Sequence, residues 1–439
     1  GRCGDHSALP ALETLIQNNA ADQAFVRIAQ EAKVALLPDD LKARFFEALA
    51  ASLPSSFSET SDVEGLATLI GKNYSVAKTI SPAGPGMLLL RQLFKAAEFR
   101  LDAEIYGILA RRFDTTFGNG SSGYHYYQRK KIKRTFSTQT KKYFQRRVIR
   151  TLSQAGDDGD AATFIPLATG ILLAYDDDLD HPRPSSTWGY RHDPQTGRAP
   201  YTEIFQPPRH TSHSFLYLLR DNSPDLKFTR AMRWHFLGAA TPATSREEPF
   251  PHLWDAAPNA LTHLLAHARA AEVQDFALRV WNDNPNWAKA TEVPAIIEIL
   301  SSWYAPTAEL GFNLARDRWD PSQPDNELLL GMLGSSSAAA QALGGQWLTA
   351  IAPLLTSQPD LIARLAFVTP TISRDAIRAF FTGHSLLSSV QREVTPRLIS
   401  ALLTLSDDDV DIDRAGFAIE ILLQITPDEL PKLPHQHLA

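Results

Sequence analysis

The C-terminal half of this 439-residue chain echoes itself. Pro258, Leu261, Leu264 and Phe276 return 36 positions later as Pro294, Ile297, Leu300 and Phe312, and Ile297, Leu300 and Leu310 return after a further 33 as Leu330, Leu333 and Leu343. A related pattern closes the chain, with Pro396, Leu398 and Leu402 followed by Ala415, Phe417, Ile419 and Leu422. Each stretch reads as a short helix, a small polar turn and a second helix. A unit of that size cannot bury its apolar face alone, whereas stacked neighbours bury a continuous core. The expected fold is therefore all-α: an irregular HEAT/armadillo-like helical repeat array, an α-solenoid, preceded by an N-terminal helical region.

The N-terminal region carries the same three- and four-residue apolar spacing over 8–32, 38–53, 62–72 and 86–113. In the last of these, Leu88, Leu89, Leu93, Ala96, Ala97, Leu101, Ile105 and Leu109 form one broad face, bounded by Pro82, Gly84 and Pro85 before it and Gly118-Asn119-Gly120 after it. Alternating strand patterns are nearly absent. The exception to helical spacing is Asp180 to His213, which holds Pro182, Pro184, Pro194, Pro200, Pro207 and Pro208, with Trp188, Tyr190, Tyr201 and Phe205 among them. A long connection with that many aromatics reads as an ordered loop. The expected organisation is a helical region over 1–115, a basic segment with linking helices over 116–180, the proline- and aromatic-rich loop over 181–213, and repeats over 214–439.

Charge is as unevenly spread as hydrophobicity. The chain carries −6 overall, yet the 42 residues from Thr115 to Gly156 contain no acidic side chain. Between Arg111 and Gly156 stand 12 Lys/Arg against the single Asp114, a local charge of +11. Such separation builds a field that attracts phosphate or acidic partners. Within it, Arg129, Lys130, Lys131, Lys133 and Arg134 follow Tyr124, Tyr126 and Tyr127, and Lys141, Lys142, Arg146, Arg147 and Arg150 fall on a helix. Guanidinium groups at three- and four-residue spacing suit phosphate oxygens, and interleaved aromatics suit exposed bases. Tyr143 and Phe144 are expected to anchor that helix to the core.

Catalytic and metal-binding patterns are incomplete. Gly118-Asn119-Gly120-Ser121-Ser122-Gly123 has the spacing of a dinucleotide loop, but a helix precedes it and no acid follows at the required distance. Asp176-Asp177-Asp178-Leu179-Asp180 matches the acidic run with which helical isoprenoid synthases hold magnesium, without a second acidic motif downstream. Ser75-Val76-Ala77-Lys78 lacks its partner motifs. His210 with His213, and His435 with His437, lack a third ligand nearby. The single cysteine, Cys3, excludes a disulfide framework, and no apolar run approaches the roughly 18 residues of a membrane span. We therefore expect no catalytic residue, no metal and no cofactor, and a cytoplasmic protein. Trp234, Trp254, Trp281, Trp303, Trp319 and Trp347 sit among Leu, Ile and Val and are expected in the core.

Three stretches resemble bacterial WGR-domain proteins, some labelled molybdate-metabolism regulators. They are 143–152 with 171–176 (Tyr143 to Leu152, then Ile171 to Asp176), 246–255 (Arg246 to Asp255), and 271–277 (Ala271 to Ala277). The resemblance spans roughly 143–348 and implies the helical, HEAT-like portion of such proteins, with no assigned catalytic site. The WGR module itself, associated with nucleic-acid binding, is missing: the chain's Trp-Gly pair is Trp188-Gly189-Tyr190.

Together these features predict a non-enzymatic helical scaffold that engages nucleic acid through Arg129, Lys130, Lys131, Lys133, Arg134, Lys141, Lys142, Arg146, Arg147 and Arg150, with little sequence specificity. Two alternatives remain: a protein-interaction scaffold docking an acidic partner, and a HEAT-like DNA base-excision glycosylase drawing on Trp254, Asp255 and Arg246.

Overall fold

The computed structural model describes residues 87–116, 124–127, 130–133, 137–190, 201–228, 233–239, 242, 243, 245–406 and 409–425, together with the single positions 10, 11 and 14. The helices read over 8–32, 38–53 and 62–72 lie outside these residues, those single positions apart, as do Gly118 to Gly123, Arg129 and Arg134. The described chain is mostly helical with three two-stranded sheets, and no described helix is long and apolar enough to cross a membrane. It divides into two compact units, Gly1–Asn284 and Pro285–Ala439. The boundaries read near 115, 180 and 214 fall inside the first.

In the first unit the expected helix over 86–113 is two: α1 (Met87–Arg100) and α2 (Ala103–Thr115). Leu101 takes a left-handed φ of 58°, Asp102 N reaches back to Ala97 O at 2.9 Å, and the Asp102 carboxylate caps α2 by accepting from Ile105 N at 3.2 Å. The chain thus ends one helix and starts the next without leaving the apolar face. β1 (Tyr124–Tyr127) and β2 (Lys130–Lys133) form an antiparallel hairpin, and α3 (Thr138–Asp157) follows, capped by Ser137. α4 (Ala161–Ala174) is apolar nearly all round and packs against α2, α3 and the later α8 (Pro258–His267). α2 and α4 cross with almost no space between backbones: a Cβ on Gly107 would stand 1.9 Å from Gly170 O. Phe94, Tyr106, Phe113 and Phe144 fill the junction of α1, α2 and α3, with ring centroids 4.3–5.5 Å apart.

After the short α5 (Asp177–Asp180), the proline-rich stretch is a β-hairpin and not a loop: β3 (Ser185–Tyr190) pairs antiparallel with β4 (Tyr201–Gln206). Pro182, Pro184, Pro207 and Pro208 fall outside the paired residues, where a missing N–H costs no ladder bond, and the β-prone aromatics fall inside. α6 (His213–Arg220), the hairpin of β5 (Leu226–Phe228) and β6 (Trp234–Phe236), α7 (Pro251–Asp255), α8 and α9 (Ala271–Asp283) complete the unit. Trp234, within the stretch expected to hold helical repeats, is in the core but on a strand.

The second unit contains α10 (Trp287–Ala290), α11 (Val293–Leu300), α12 (Ala305–Arg318), α13 (Asn326–Gly334), α14 (Ala338–Ala350), α15 (Ala352–Leu355), α16 (Pro359–Leu365), α17 (Thr371–Gly383), α18 (Ser388–Leu402) and α19 (Asp409–Ile425). α11, α13 and α16 begin 33 residues apart, at Val293, Asn326 and Pro359, and α12, α14 and α17 likewise at Ala305, Ala338 and Thr371. The correspondence extends to details. Ser302 and Ser335 are both buried, and their hydroxyls accept from Tyr304 N at 3.3 Å and Ser337 N at 3.1 Å. Gly311 and Gly344 let their helices approach the backbone of Leu300 and Leu333; a Cβ would stand 2.4 Å from Leu300 N and 3.2 Å from Leu333 N. α11, α13, α16 and α18 pack successively on one another, as do α14, α17 and α19. Trp319 stacks on Trp347 at 4.1 Å and 2°, while Trp303 is 46 % exposed.

Candidate nucleic-acid interface

α3 turns an apolar face to the core and carries five cations over its first four turns. Phe144, Val148, Thr151, Leu152 and Ala155 turn inward at spacings of three and four. Those cations divide into two groups, one held by described partners within the unit and one not.

Lys141 and Arg147 point into the unit. The Lys141 ammonium donates to Asp114 O at 2.6 Å and Thr116 O at 3.1 Å, closing the C-terminal carbonyls of α2; burial lowers its pKa, with Asp114 acting against that. Arg147 forms a fork onto Glu98, Nε at 2.9 Å and Nη2 at 2.6 Å, and donates to the Tyr143 hydroxyl at 3.1 Å. Glu98 is itself buried and also accepts from Thr151 Oγ1 at 2.5 Å. Arg147 therefore does not share an outward face with Arg146 and Arg150. Tyr143, 42 % exposed, covers Arg147 and leaves the core to Phe144.

Lys142, Arg146 and Arg150 recur every fourth residue on the other side. Arg146 and Arg150 are exposed and Lys142 half-exposed, and none of the three makes a side-chain hydrogen bond or ion pair among the described residues. The acids that follow the helix in sequence have other partners: Asp160 caps α4 and Asp157 accepts from Ser153. A helical rise of about 1.5 Å per residue places the three cations about 6 Å apart in a stripe. Just upstream, the β1–β2 register sets Tyr124 opposite Lys133, Tyr126 opposite Lys131 and Tyr127 opposite Lys130.

Beneath α3 lies a polar cluster that sequence reasoning missed. Asp114, 1 % exposed, accepts from Gln145 Nε2 (2.8 Å), Tyr175 OH (3.1 Å), Ser214 N (2.9 Å) and Ser214 Oγ (2.5 Å). Four donors compensate the buried carboxylate. Burial and the Asp114 charge push the Tyr175 phenol well above its ordinary pKa. The neighbouring His213 stacks on Phe228 at 3.9 Å, its Nδ1 has no partner, and burial holds its pKa at about 4. Its pairing with His210 as metal ligands has no support, since no group of His, Cys, Asp and Glu among the described residues could hold a metal ion.

The acidic run Asp176–Asp180 is likewise occupied. The Asp176 carboxylate accepts from Asp178 N and Leu179 N as the cap of α5. Asp177 accepts from Arg209 Nη2 at 2.6 Å and Ala271 N at 2.9 Å, and Asp180 pairs with Arg111 and Arg209. Arg209 also reaches Glu272 at 2.6 Å, lies over the rings of Tyr175 and Phe215, and holds a left-handed φ of 57°. The run is a structural anchor for arginines. Trp254 is fully buried between Phe164 and Phe276, and Arg246 is tied to Asp255 and Glu248, each at 2.5 Å; the three residues weighed for a glycosylase do not line an open groove. The β3–β4 hairpin, by contrast, presents Trp188, Tyr190, Tyr201 and Phe205 outward, Trp188 61 % and Tyr190 76 % exposed, with Tyr201 against both of their rings.

Compared with known proteins, the chain matches no family model, no curated protein and no solved structure.

Proposed function

We propose that this chain is a non-enzymatic helical scaffold that binds nucleic acid through the phosphate backbone, with the outer stripe of α3 as its described contact surface. One observation carries the reading: Lys142, Arg146 and Arg150 stand in line with no partner among the described residues, while Lys141 and Arg147, their neighbours, are engaged. The absence of any acid over 115–156 leaves that stripe without local competition for phosphate. Lys130, Lys131 and Lys133 on β2 extend the same basic segment, and the outward aromatics of the β3–β4 hairpin are the residue types on which unpaired bases stack. In the second unit, helix starts that recur every 33 residues and two successions of stacked helices support reading it as a HEAT-like α-solenoid.

Binding is tested by titrating a labelled duplex and a labelled single strand at several salt concentrations. Three phosphate contacts give a slope of log affinity against log salt of about −2.7 on duplex, and six give about −5. Arg146→Ala with Arg150→Ala should weaken all sequences alike and make the slope shallower by about 1.8. Both side chains are exposed, so thermal stability should not change. A complex insensitive to salt, or none at low salt, would sink the proposal. The hairpin's aromatic face also favours a second reading, docking of an acidic protein, since aromatics are enriched at interface cores; a complex recovered from lysate that survives nuclease would select it.

A further inference from the structure

The β3–β4 hairpin has two unlike sides. Its register sets Ser186 opposite Phe205, Trp188 opposite Glu203 and Tyr190 opposite Tyr201. Opposed residues share a face, and successive residues alternate between faces. Trp188, Tyr190, Tyr201 and Phe205 therefore lie together on one side, and Ser185, Ile204 and Gln206 on the other. That other side meets the unit: Gln206 is buried and Ile204 half-buried. Ser185 Oγ there donates to Gln206 Oε1 at 3.0 Å and lies 3.4 Å from His210 Nδ1. The rings are thus not what fastens the hairpin to the unit, and all four are exposed.

Among the paired residues, no Leu, Ile, Val or Met shares the ring face. Trp188 and Tyr201 are inclined by only 29° with centroids 5.9 Å apart, and Tyr190 stands at 60° to Tyr201. Rings stack on any base whose own face is open, which a single strand offers and a duplex does not. Side chains two residues apart on a strand stand about 7 Å apart, twice the roughly 3.4 Å per nucleotide of a duplex strand. Successive rings on β3 therefore match splayed bases and not stacked ones.

Cations lie at the root of the hairpin. Arg183, two residues before β3, is exposed and makes no side-chain hydrogen bond or ion pair among the described residues. Beyond the end of β4, Thr211 O accepts from Gln145 Nε2 of α3 at 3.4 Å, so the root lies against the helix that carries Arg146 and Arg150. One carboxylate on the ring face opposes an anion. It belongs to Glu203, which is half-buried and accepts from Ser186 Oγ at 2.5 Å.

We propose that the hairpin makes this chain selective for single-stranded nucleic acid, with unpaired bases stacking on Trp188, Tyr190 and Tyr201 while Arg183 and the α3 stripe hold the phosphates. The selectivity rests on phosphate binding by α3 and adds to it the state of the strand.

Fluorescence anisotropy of the full chain with labelled probes of equal length tests the proposal: a thymidine single strand, an abasic single strand, a duplex and a polyglutamate peptide. The thymidine strand should bind about tenfold or more tighter than the abasic strand, and tighter than the duplex and the peptide. Trp188→Leu, which removes the ring but keeps an apolar side chain, should weaken the thymidine strand about 5- to 150-fold. It should leave the abasic strand and the salt slope unchanged, and Trp188→Phe should retain most of the affinity. Arg183→Ala should make the slope on both single strands shallower by about 0.7. Glu203→Gln should tighten both by up to about fivefold, since it removes a like charge. Equal affinity for thymidine and abasic strands, with both still weakened by Arg146→Ala and Arg150→Ala, would overturn the selectivity and leave phosphate binding by α3 standing. No binding of either strand would end both. A Trp188→Leu chain that holds the thymidine strand like the parent, or a parent that prefers the duplex or the peptide, would also overturn the proposal.

Discussion

Replacing Asp114 by Asn tests whether a single buried carboxylate holds the first unit together. Asp114 sits at the end of α2 and accepts four hydrogen bonds, one on Oδ1 from Gln145 and three on Oδ2 from Tyr175 OH, Ser214 N and Ser214 Oγ. These join α2 to α3, to the end of α4 and to the start of α6. Asparagine keeps the shape but offers one acceptor and one donor. With its oxygen at the Oδ2 position, three bonds survive in neutral form and its NH2 meets the Gln145 NH2. Losing one bond to a charged acceptor costs about 1.5–3 kcal/mol, and neutralising the acceptor weakens the other three; the total is about 2–4 kcal/mol. Asp114→Ala removes all four and approaches the whole stability of a domain, about 5–15 kcal/mol, so the Asn variant is the informative one. Because the chain has two units, a single denaturation midpoint does not isolate the effect. Amide hydrogen exchange resolved by peptide does. The amides of α2, α3 and α6 should exchange roughly 30- to 1,000-fold faster, and those of 285–439 should not change. Adding Gln145→Leu removes the facing donor and should recover part of the loss. Protection in α3 and α6 that stays within about twofold of the parent would refute the reasoning.

Two further outcomes follow from the same unit. The His213 imidazole falls from 6.5 to about 4 on folding because it is buried; the unfolded chain therefore takes up its proton first, stability is intact above pH 6.5, and about 3 kcal/mol is lost by pH 4, a slope that His213→Phe should flatten in urea titrations across that range. Gly107→Ala places a Cβ 1.9 Å from Gly170 O and should cost more than about 3 kcal/mol by forcing α2 and α4 apart, whereas Gly159→Ala, with open space but a φ of 67°, should cost about 1–2 kcal/mol in thermal melts.

The helices were readable because burial imposes a period of three and four on their sequences, and the shift of 33 from Leu300 to Leu333 is the spacing at which helix starts recur. What periodicity could not register was interruption that keeps the apolar face, as at Leu101 and Asp102. The hairpin of 185–206 was hidden by flanking prolines, although Trp188 and Tyr190, two residues apart, carried a strand signal. In the basic segment the residue types were legible but their allocation was not. Lys141 and Arg147 are distinguished from Lys142, Arg146 and Arg150 only by Asp114, Thr116 and Glu98, which lie 25 to 49 residues away. Asp114 did leave a trace, as the lone acid among 12 cations and in phase with Tyr106 and Ala110. Arg209 left none, since its role exists only once Asp177, Asp180 and Glu272 surround it.

The Arg209 cluster also bears on the order in which the chain assembles. Arg209 reaches Asp177 across 32 residues and Glu272 across 63, and Arg111 reaches Asp180 across 69. Asp114 meets Ser214 across 100. In the second unit the comparable described links run from 32 to 42 residues, with none near the 63 to 100 of the first: Asn326 to Gln358 across 32, Ser373 to Leu333 across 40 and Arg378 to Glu420 across 42. Long closures carry a large entropic cost before any contact offsets it, and chains rich in near-neighbour contacts fold faster. Refolding should therefore proceed from the C-terminal side: 285–439 gains protection while the first unit is still open. The first unit closes late, since its buried arginine is uncompensated until three distant segments have converged.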